Sequence, residues 1–495
     1  MQALKKDIWL ILLLLALSVP LFFLNVHNSH SAGGDDYALY IKEAKNIAEG
    51  KPYYLSDNVF NKHNVHYSPP QYPPGYPLLL APVVKMCGID ILPLCYFNTV
   101  VAAMLLLCFF YFFRRYMGVI PATCMALMIV YGSVMMGLKQ TIVADTTCLL
   151  FVMLYMVVRA AEKQNSIRMT LLVLFATMAI LCRTQAVLLL LAEVIYLFYD
   201  TIRHRKTATT RSILTSPGMV AIAGSNALLF ILNKTIFYTP NSTSVFYAAI
   251  FRDALQKGAL TVVRDNVNFF LEAIKSFFHY DTDNSIRTAI VTIMESAGLV
   301  LCITGLLISI AKKIRFTDVF FVLMCLLMLF YPIHDARYFL PAIALVYLYS
   351  YTALRTVLPT ITTIRPLYVG VAFAGIYLFA GLKYLRSTTE PPVNYVPAQN
   401  DHNAFAYLRQ NVKDDELIIC ARPRLVSLYT DRKCIIHAWQ LPMAENKRIF
   451  DSMNAKYLLI AYDIVEDYYQ QYLNEYDHPV DSTEIAPGYR LYKIR

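Results

Sequence analysis

Long apolar runs recur along this chain, each about 17 to 24 residues, and short polar or basic breaks separate them. A helix rises about 1.5 Å per residue, so a run of that length crosses the roughly 30 Å hydrocarbon core of a bilayer. Inside lipid every backbone donor and acceptor must be met within the segment, so each such run has to be a helix. Only 16% of the 495 residues are charged and 57% are hydrophobic, whereas soluble domains carry about 25% charged residues. These features define an all-α polytopic membrane domain.

The basic residues set its orientation. Lys5 and Lys6 precede the first run, and Arg114-Arg115, Glu162 to Arg168, Arg203 to Lys206, Lys312 to Arg315, and Arg355 with Arg365 fall in alternate breaks. Cytoplasmic loops collect lysine and arginine, so this alternation predicts a cytoplasmic N-terminus in an inner membrane. The net charge of +10 is explained in the same way and does not indicate nucleic-acid binding. The runs predict about eleven spans, at 8–24, 92–113, 119–138, 143–161, 168–182, 186–200, 217–237, 288–311, 317–332, 338–354 and 366–383. The first run resembles a signal peptide, but it has no small-residue cleavage site and further spans follow, so it is read as a span.

Under this alternation residues 1–384 form the transmembrane domain, with a first outer loop at 25–76 and a large outer loop at 238–287. In the first loop, Asp36 to Gly50 has a helical period with Tyr40, Ala44, Ile47 and Ala48 on one face, which suits a helix lying on the membrane surface. Pro74 to Gly88 is apolar but short and proline-broken, and reads as a second interfacial or re-entrant helix. Residues 385–495 read as a small extracytoplasmic α/β domain. Its helix lies over 401–413, its buried strands at 416–421, 433–438 and 456–462, and its last strand at 489–495.

The ten cysteines form no CxxC pair, so no metal or redox motif is present. Cys420 and Cys434 lie in the polar tail, where an oxidising compartment would allow them to pair.

Several charged residues sit where the membrane makes charge costly. The adjacent acids Asp35 and Asp36 follow the first span. Either suits a general base, and either also suits the N-cap of the helix that starts near Tyr37; Asp36 is the favoured base. Arg183 is the only charge between Arg168 and Glu193. It reads as a phosphate partner or as an arginine snorkelling to the interface. Arg337 is a second candidate for phosphate, with His334 and Asp335 as nearby partners, and Lys139 is a third or a plain helix-end anchor. Asp145 opens a span, where it positions an acceptor, holds a cation or caps the helix. His334 and Tyr76 are further candidates for positioning the acceptor or a cation. Tyr53, Tyr54, Tyr67, Tyr72 and Tyr76 would stack on sugar, line a lipid groove or form an ordinary interfacial belt. His63 and His66 would complete a metal site only on a helix, and Asn64 and nearby prolines argue against one, so no metal is assigned. No cofactor is assigned, and a divalent cation fits the chemistry.

Nucleotide sugars are not supplied at an outer membrane face, so a glycosyl donor there must be a sugar on a polyprenyl phosphate. Transfer then needs a base for the acceptor proton and cations for the departing lipid phosphate. The competing readings are a transporter or lipid flippase, and a non-catalytic membrane subunit. Repeated halves would mark a transporter, and none is found.

Five motifs in order along the chain, GGDDYALY, YPPGYPLLLAP, KQTIVADTTCLL, LCRTQAVLLL and HDARYFLPAIAL, resemble the GT-C superfamily of integral-membrane glycosyltransferases. The likeness is to bacterial protein O-mannosyltransferase-like enzymes and lipid A aminoarabinose transferases. It covers about residues 1–385, and the tail resembles the small periplasmic domain of many such enzymes. The resemblance implies a catalytic acid at Asp36 or Asp35, a polyprenyl-phosphate sugar donor, and inversion at the anomeric carbon. The acceptor would be a lipid, glycan or protein. The sequon-reading WWD motif of oligosaccharyltransferases is absent, and the chain has only two tryptophans.

Overall fold

The computed structural model describes residues 2–24, 26, 36–59, 61, 72–160, 165–203, 215–237, 252, 256, 258–279, 285–331, 334–361, 368, 371, 375, 399–438, 441–461, 466–475 and 479–494. The chain divides into two compact units. The described residues of 1–27, 95–238 and 250–391 make the first; those of 28–94 and 392–495 make the second.

The first unit is helical. Its elements are α1 (Gln2–Ser18), α4 (Ile91–Phe113), α5 (Val119–Val130), α6 (Ser133–Lys139), α7 (Asp145–Arg159), α8 (Ser166–Cys182), α9 (Leu188–Arg203), α10 (Pro217–Thr235), α11 (Ala259–Ser276), α12 (Ser285–Lys312), α13 (Phe316–Phe330) and α14 (Ile343–Ile361). Among the described residues, Ile91–Phe113, Thr184–Arg203 and Val291–Lys312 are long and apolar enough to cross a membrane singly. The pair α5 and α6, bent by 54°, makes a fourth candidate. The expected count of eleven is not reached among the described residues, where several apolar helices, Ser166–Cys182 and Phe316–Phe330 among them, are shorter than a full span. The bend between α5 and α6 falls at Gly132, where an added Cβ would lie 3.0 Å from the Met128 carbonyl oxygen. The helix expected at 366–383 lies outside the described residues, apart from isolated positions.

A buried carboxylate, Glu193, ties α7 to α9. It accepts 2.7 Å hydrogen bonds from Tyr155 Oη and Arg159 Nε. Helices α12 and α14 approach closely at Gly305, where a Cβ would sit 1.8 Å from the carbonyl oxygen of Tyr349. Small residues permit this kind of backbone approach between helices.

In the second unit a five-stranded sheet has the order β2-β1-β3-β5-β4, with β1 Leu417–Cys420, β2 Lys433–Ile435, β3 Ala455–Ala461, β4 Asp481–Ala486 and β5 Tyr489–Lys493. The first three strands are parallel, as helical crossovers require. Helices α16 (Pro423–Thr430) and α17 (Met443–Ser452) supply those crossovers. Helix α15 (Gln399–Asn411) precedes the sheet, α18 (Glu466–Glu475) follows β3, and β5 pairs antiparallel with both β3 and β4. The expected tail strands are present. Strand β4 was not expected, because DSTEIA is polar, mostly exposed and paired on one side only. Cys420 and Cys434 are both buried and unbridged.

The first-loop segment packs with this tail. Helix α2 (Asp36–Ala48) lies against α3 (Gly75–Cys87) and α16. The helix expected over 36–50 forms, but it is not a surface helix. Tyr37 through Ala44 are all buried, the charged Lys42 and Glu43 included. The helical period shows the apolar face; it does not show that the polar face has partners in the tail. Lys42 Nζ lies 2.6 Å from both Asp57 and Asp431. Val59 N donates to the Cys434 carbonyl and Cys434 N to that of Asp57, both at 2.8 Å, so the loop adds a bridge to the free edge of β2.

Gly305→Ala is expected to force α12 away from α14 and cost about 1–3 kcal/mol, as overpacking does. Thermal unfolding in detergent reads this as a lowered midpoint. An unchanged midpoint would show that the helices do not pack this closely.

Candidate functional site

In the first unit, five of the residues between spans come together. Helix α8 ends at Cys182, and Arg183 has an extended backbone before the short 3-10 turn Thr184–Val187. That break turns the side chain inward. Arg183 is 5% exposed and does not snorkel. Its Nη2 lies 2.5 Å from Oδ2 of Asp145, the first residue of α7, which is 2% exposed. A buried guanidinium needs such a partner, since removing one half of a buried pair costs about 3–5 kcal/mol. The other Asp145 oxygen, Oδ1, makes no hydrogen bond among the described residues.

A 3-10 turn, Ala336–Ala342, carries Arg337 and Tyr338. Asp335 caps this turn by accepting from Arg337 N at 2.9 Å, and its other oxygen lies 2.6 Å from Arg337 Nη2. Asp335 therefore pairs with Arg337, while His334 bonds Asn266 at 2.6 Å and stacks on Phe269. The Arg183 guanidinium lies 6.0 Å from the Tyr338 ring centroid. Asp145 acts favourably on the Arg337 charge and Arg183 unfavourably. Two arginines and two aspartates thus share one neighbourhood, with Arg183 and Asp145 buried and Arg337 and Asp335 partly exposed. Lys139 lies apart from these pairings, donating at 2.7 Å to the carbonyl of Leu21 and also to that of Leu24. It thereby meets carbonyls left open where the first helix ends.

In the second unit, Asp36 begins α2 and its Oδ1 lies 2.7 Å from Nη1 of Arg424 on α16. Arg424 is buried, whereas the Asp36 side chain retains 22% exposure. Tyr76 is buried with its ring edge-on to Tyr40, 5.2 Å between centroids, and Tyr72 stacks on Tyr40 at 4.7 Å. Asp35, His63, His66 and Tyr67 lie outside the described residues. Among the described residues no three His, Cys, Asp or Glu side chains are placed to hold a metal ion.

Two residues here escaped sequence reasoning. Glu43 is fully buried and neither carboxylate oxygen has a hydrogen-bond partner among the described residues. Burial holds its pKa well above the usual carboxylate range, and the Arg424 charge opposes that only in part. It stands seven residues after Asp36, so both lie on one helix face; that spacing was the available signal. Arg424 had none, because 388 residues separate it from Asp36.

Residues 71–249 match the family model described as dolichyl-phosphate-mannose-protein mannosyltransferase. Among solved structures, the chain is similar to ArnT from Cupriavidus metallidurans bound to undecaprenyl phosphate, with a TM-score of 0.58 at 10% identity, covering 98% of each chain. It is also similar to the oligosaccharyltransferase AglB from Archaeoglobus fulgidus in complex with an inhibitory peptide and a dolichol-phosphate. There the TM-score is 0.56 at 13% identity, over 99% of this chain and 74% of that one. The arabinofuranosyltransferase AftD from Mycobacteria gives 0.56 at 11% identity, over 98% of this chain and 40% of that one. No curated protein sequence matches the chain. The chain shares its fold with these solved structures, which are GT-C membrane glycosyltransferases, the group that the ordered motifs resemble.

Glu43 makes stability depend on pH. Above the ordinary carboxylate pKa the unfolded chain has released this proton while the folded chain still holds it. The folded state then binds more protons, so stability falls as pH rises toward the raised folded value, by about 1.4 kcal/mol per pH unit at most. Glu43→Gln keeps the shape without the titration. Its unfolding midpoint is expected to exceed that of the wild type by a margin that grows from pH 5 to pH 8. A constant margin would show that Glu43 is ionised in the fold.

Proposed function

We propose that this chain is a glycosyltransferase that moves a hexose or pentose from a polyprenyl-phosphate donor to an acceptor at the outer face of the inner membrane. The reading extends to a polytopic domain of about eleven spans, with the N-terminus in the cytoplasm and the tail outside. The observation that carries it is the buried Arg183 with Arg337 beside it, within a fold whose solved examples include one holding undecaprenyl phosphate and one holding dolichol-phosphate. Arginine presents a planar fork of donors that suits phosphate oxygens.

In this reading Asp36 takes the proton from the acceptor hydroxyl or phosphate as its oxygen attacks the anomeric carbon. The bond from that carbon to the lipid-phosphate oxygen breaks in the same displacement, which inverts the centre. Arg183 and Arg337 stabilise the phosphate charge that develops. Arg424, 2.7 Å from Asp36, holds the carboxylate in place. Asp145 orients Arg183. Tyr76 and His334 help position the acceptor, Lys139 supports the phosphate site, and Asp35 is the alternative base.

Asp36→Asn is expected to lower transfer of labelled sugar from polyprenyl-phosphate sugar by about 10²–10⁴-fold, the usual contribution of a general base. Arg183→Ala and Arg337→Ala are expected to impair both donor binding and turnover. The assay uses purified protein in lipid, with unfolding profiles recorded in parallel. Full turnover by Asp36→Asn and by the Asp35/Asp36 double variant would refute the assignment of the base.

A further inference from the structure

At the far end of the first unit, about 20 Å along α13 from the Arg337 turn by helix rise, lies a cavity of about 530 Å³. Arg115, Lys312, Arg315 and Arg355 line it, with Asp318 as its one carboxylate. The cations come from positions far apart in the sequence: the end of α4, the end of α12, the start of α13 and the body of α14.

One carboxylate cannot balance four cations. It is buried and accepts from Ser309 Oγ at 2.9 Å, Tyr349 Oη at 2.7 Å and Arg315 N at 2.8 Å. Two of the cations are held in place. Arg115 donates to the Ala160 carbonyl, and the Arg315 guanidinium lies 5.6 Å from the Tyr116 ring centroid. Lys312 and Arg355 make no ion pair or hydrogen bond among the described residues. Basic residues at helix ends normally serve as separate, solvated anchors. Here four of them converge on one concave space.

We propose that this cavity binds a phosphate-bearing anion, either the phosphate of a lipid headgroup or a free organic phosphate. Four cations around a single carboxylate leave excess positive charge in the cavity, and an oxyanion offsets that excess. Guanidinium groups match phosphate oxygens in geometry. The volume falls within the roughly 300–1,000 Å³ of small-molecule sites and exceeds what a bare phosphate ion fills, which points to a phosphate ester. The site is independent of the sugar-transfer reading, since none of its residues takes part in that chemistry.

The test compares the full-length protein with Lys312→Gln/Arg355→Gln, two exposed positions, and with the control pair Lys234→Gln/Lys433→Gln outside the cavity. Native mass spectrometry measures retention of phosphatidylglycerol against diacylglycerol, which lacks the phosphate. Equilibrium dialysis measures glycerol 3-phosphate and inorganic phosphate. The cavity variant is expected to bind its phosphate ligand at least about tenfold more weakly, as loss of a charge-assisted contact implies, with the control pair unchanged. A loss confined to phosphatidylglycerol identifies a lipid headgroup, and a loss confined to the soluble probes identifies a free phosphate. Equal binding by wild type and cavity variant, or no binding of any probe to the wild type, overturns the proposal.

Discussion

A charge taken out of water must find an opposite charge or a set of hydrogen bonds, and much of this structure follows from where those partners lie. Arg183, Glu193, Lys42 and Arg424 are each buried, and each meets an opposite charge from another element. The pairings set the arrangement of the helices: α7 is joined to the α8 break through Asp145 and to α9 through Glu193, and α2 is joined to α16 through Arg424 and Asp431. Apolar packing alone specifies such contacts weakly, because one greasy helix face resembles another.

The same constraint separates chemistry from support. Lys139 is anchored by the main-chain carbonyl of Leu21 and His334 by Asn266, so both candidates are held by neighbours within their own unit. Arg183 and Arg337 are also paired, but with carboxylates that hold their guanidinium groups in one neighbourhood while leaving their charges intact. Asp36 keeps partial exposure beside a buried arginine, a placement that leaves its carboxylate reachable. Glu43 departs from this pairing: among the described residues its carboxyl has no hydrogen-bond partner, and burial holds it toward its neutral form.

Much of the helical unit was legible from the sequence. Apolar runs gave helices close to the expected positions, and the break at Arg183 appeared as a polar interruption. What a run length does not show is where a helix bends, as the run at 119–138 does by 54° near Gly132. In the tail, apolar strands were legible, but β4 was not, because its residues are polar and it is held by pairing with β5. Candidate residues were legible one at a time, as charges in costly places. Their partners were not, since Asp145 and Arg183 are 38 residues apart and Asp36 and Arg424 are 388 apart.

The sequence by itself determined the helical membrane class, the approximate position of most helices and the handful of ionisable residues that needed an explanation. These follow from local rules, the hydrogen-bonding demand of the backbone in lipid and the cost of isolated charge. Only the tertiary structure decided that α2 is enclosed by the tail and that Arg424 and Glu43 accompany Asp36. It likewise decided that Arg183 meets Asp145 and that four distant cations share one cavity. Those outcomes depend on which surfaces meet in space, and that information is carried by pairings far apart along the chain, which no local periodicity records.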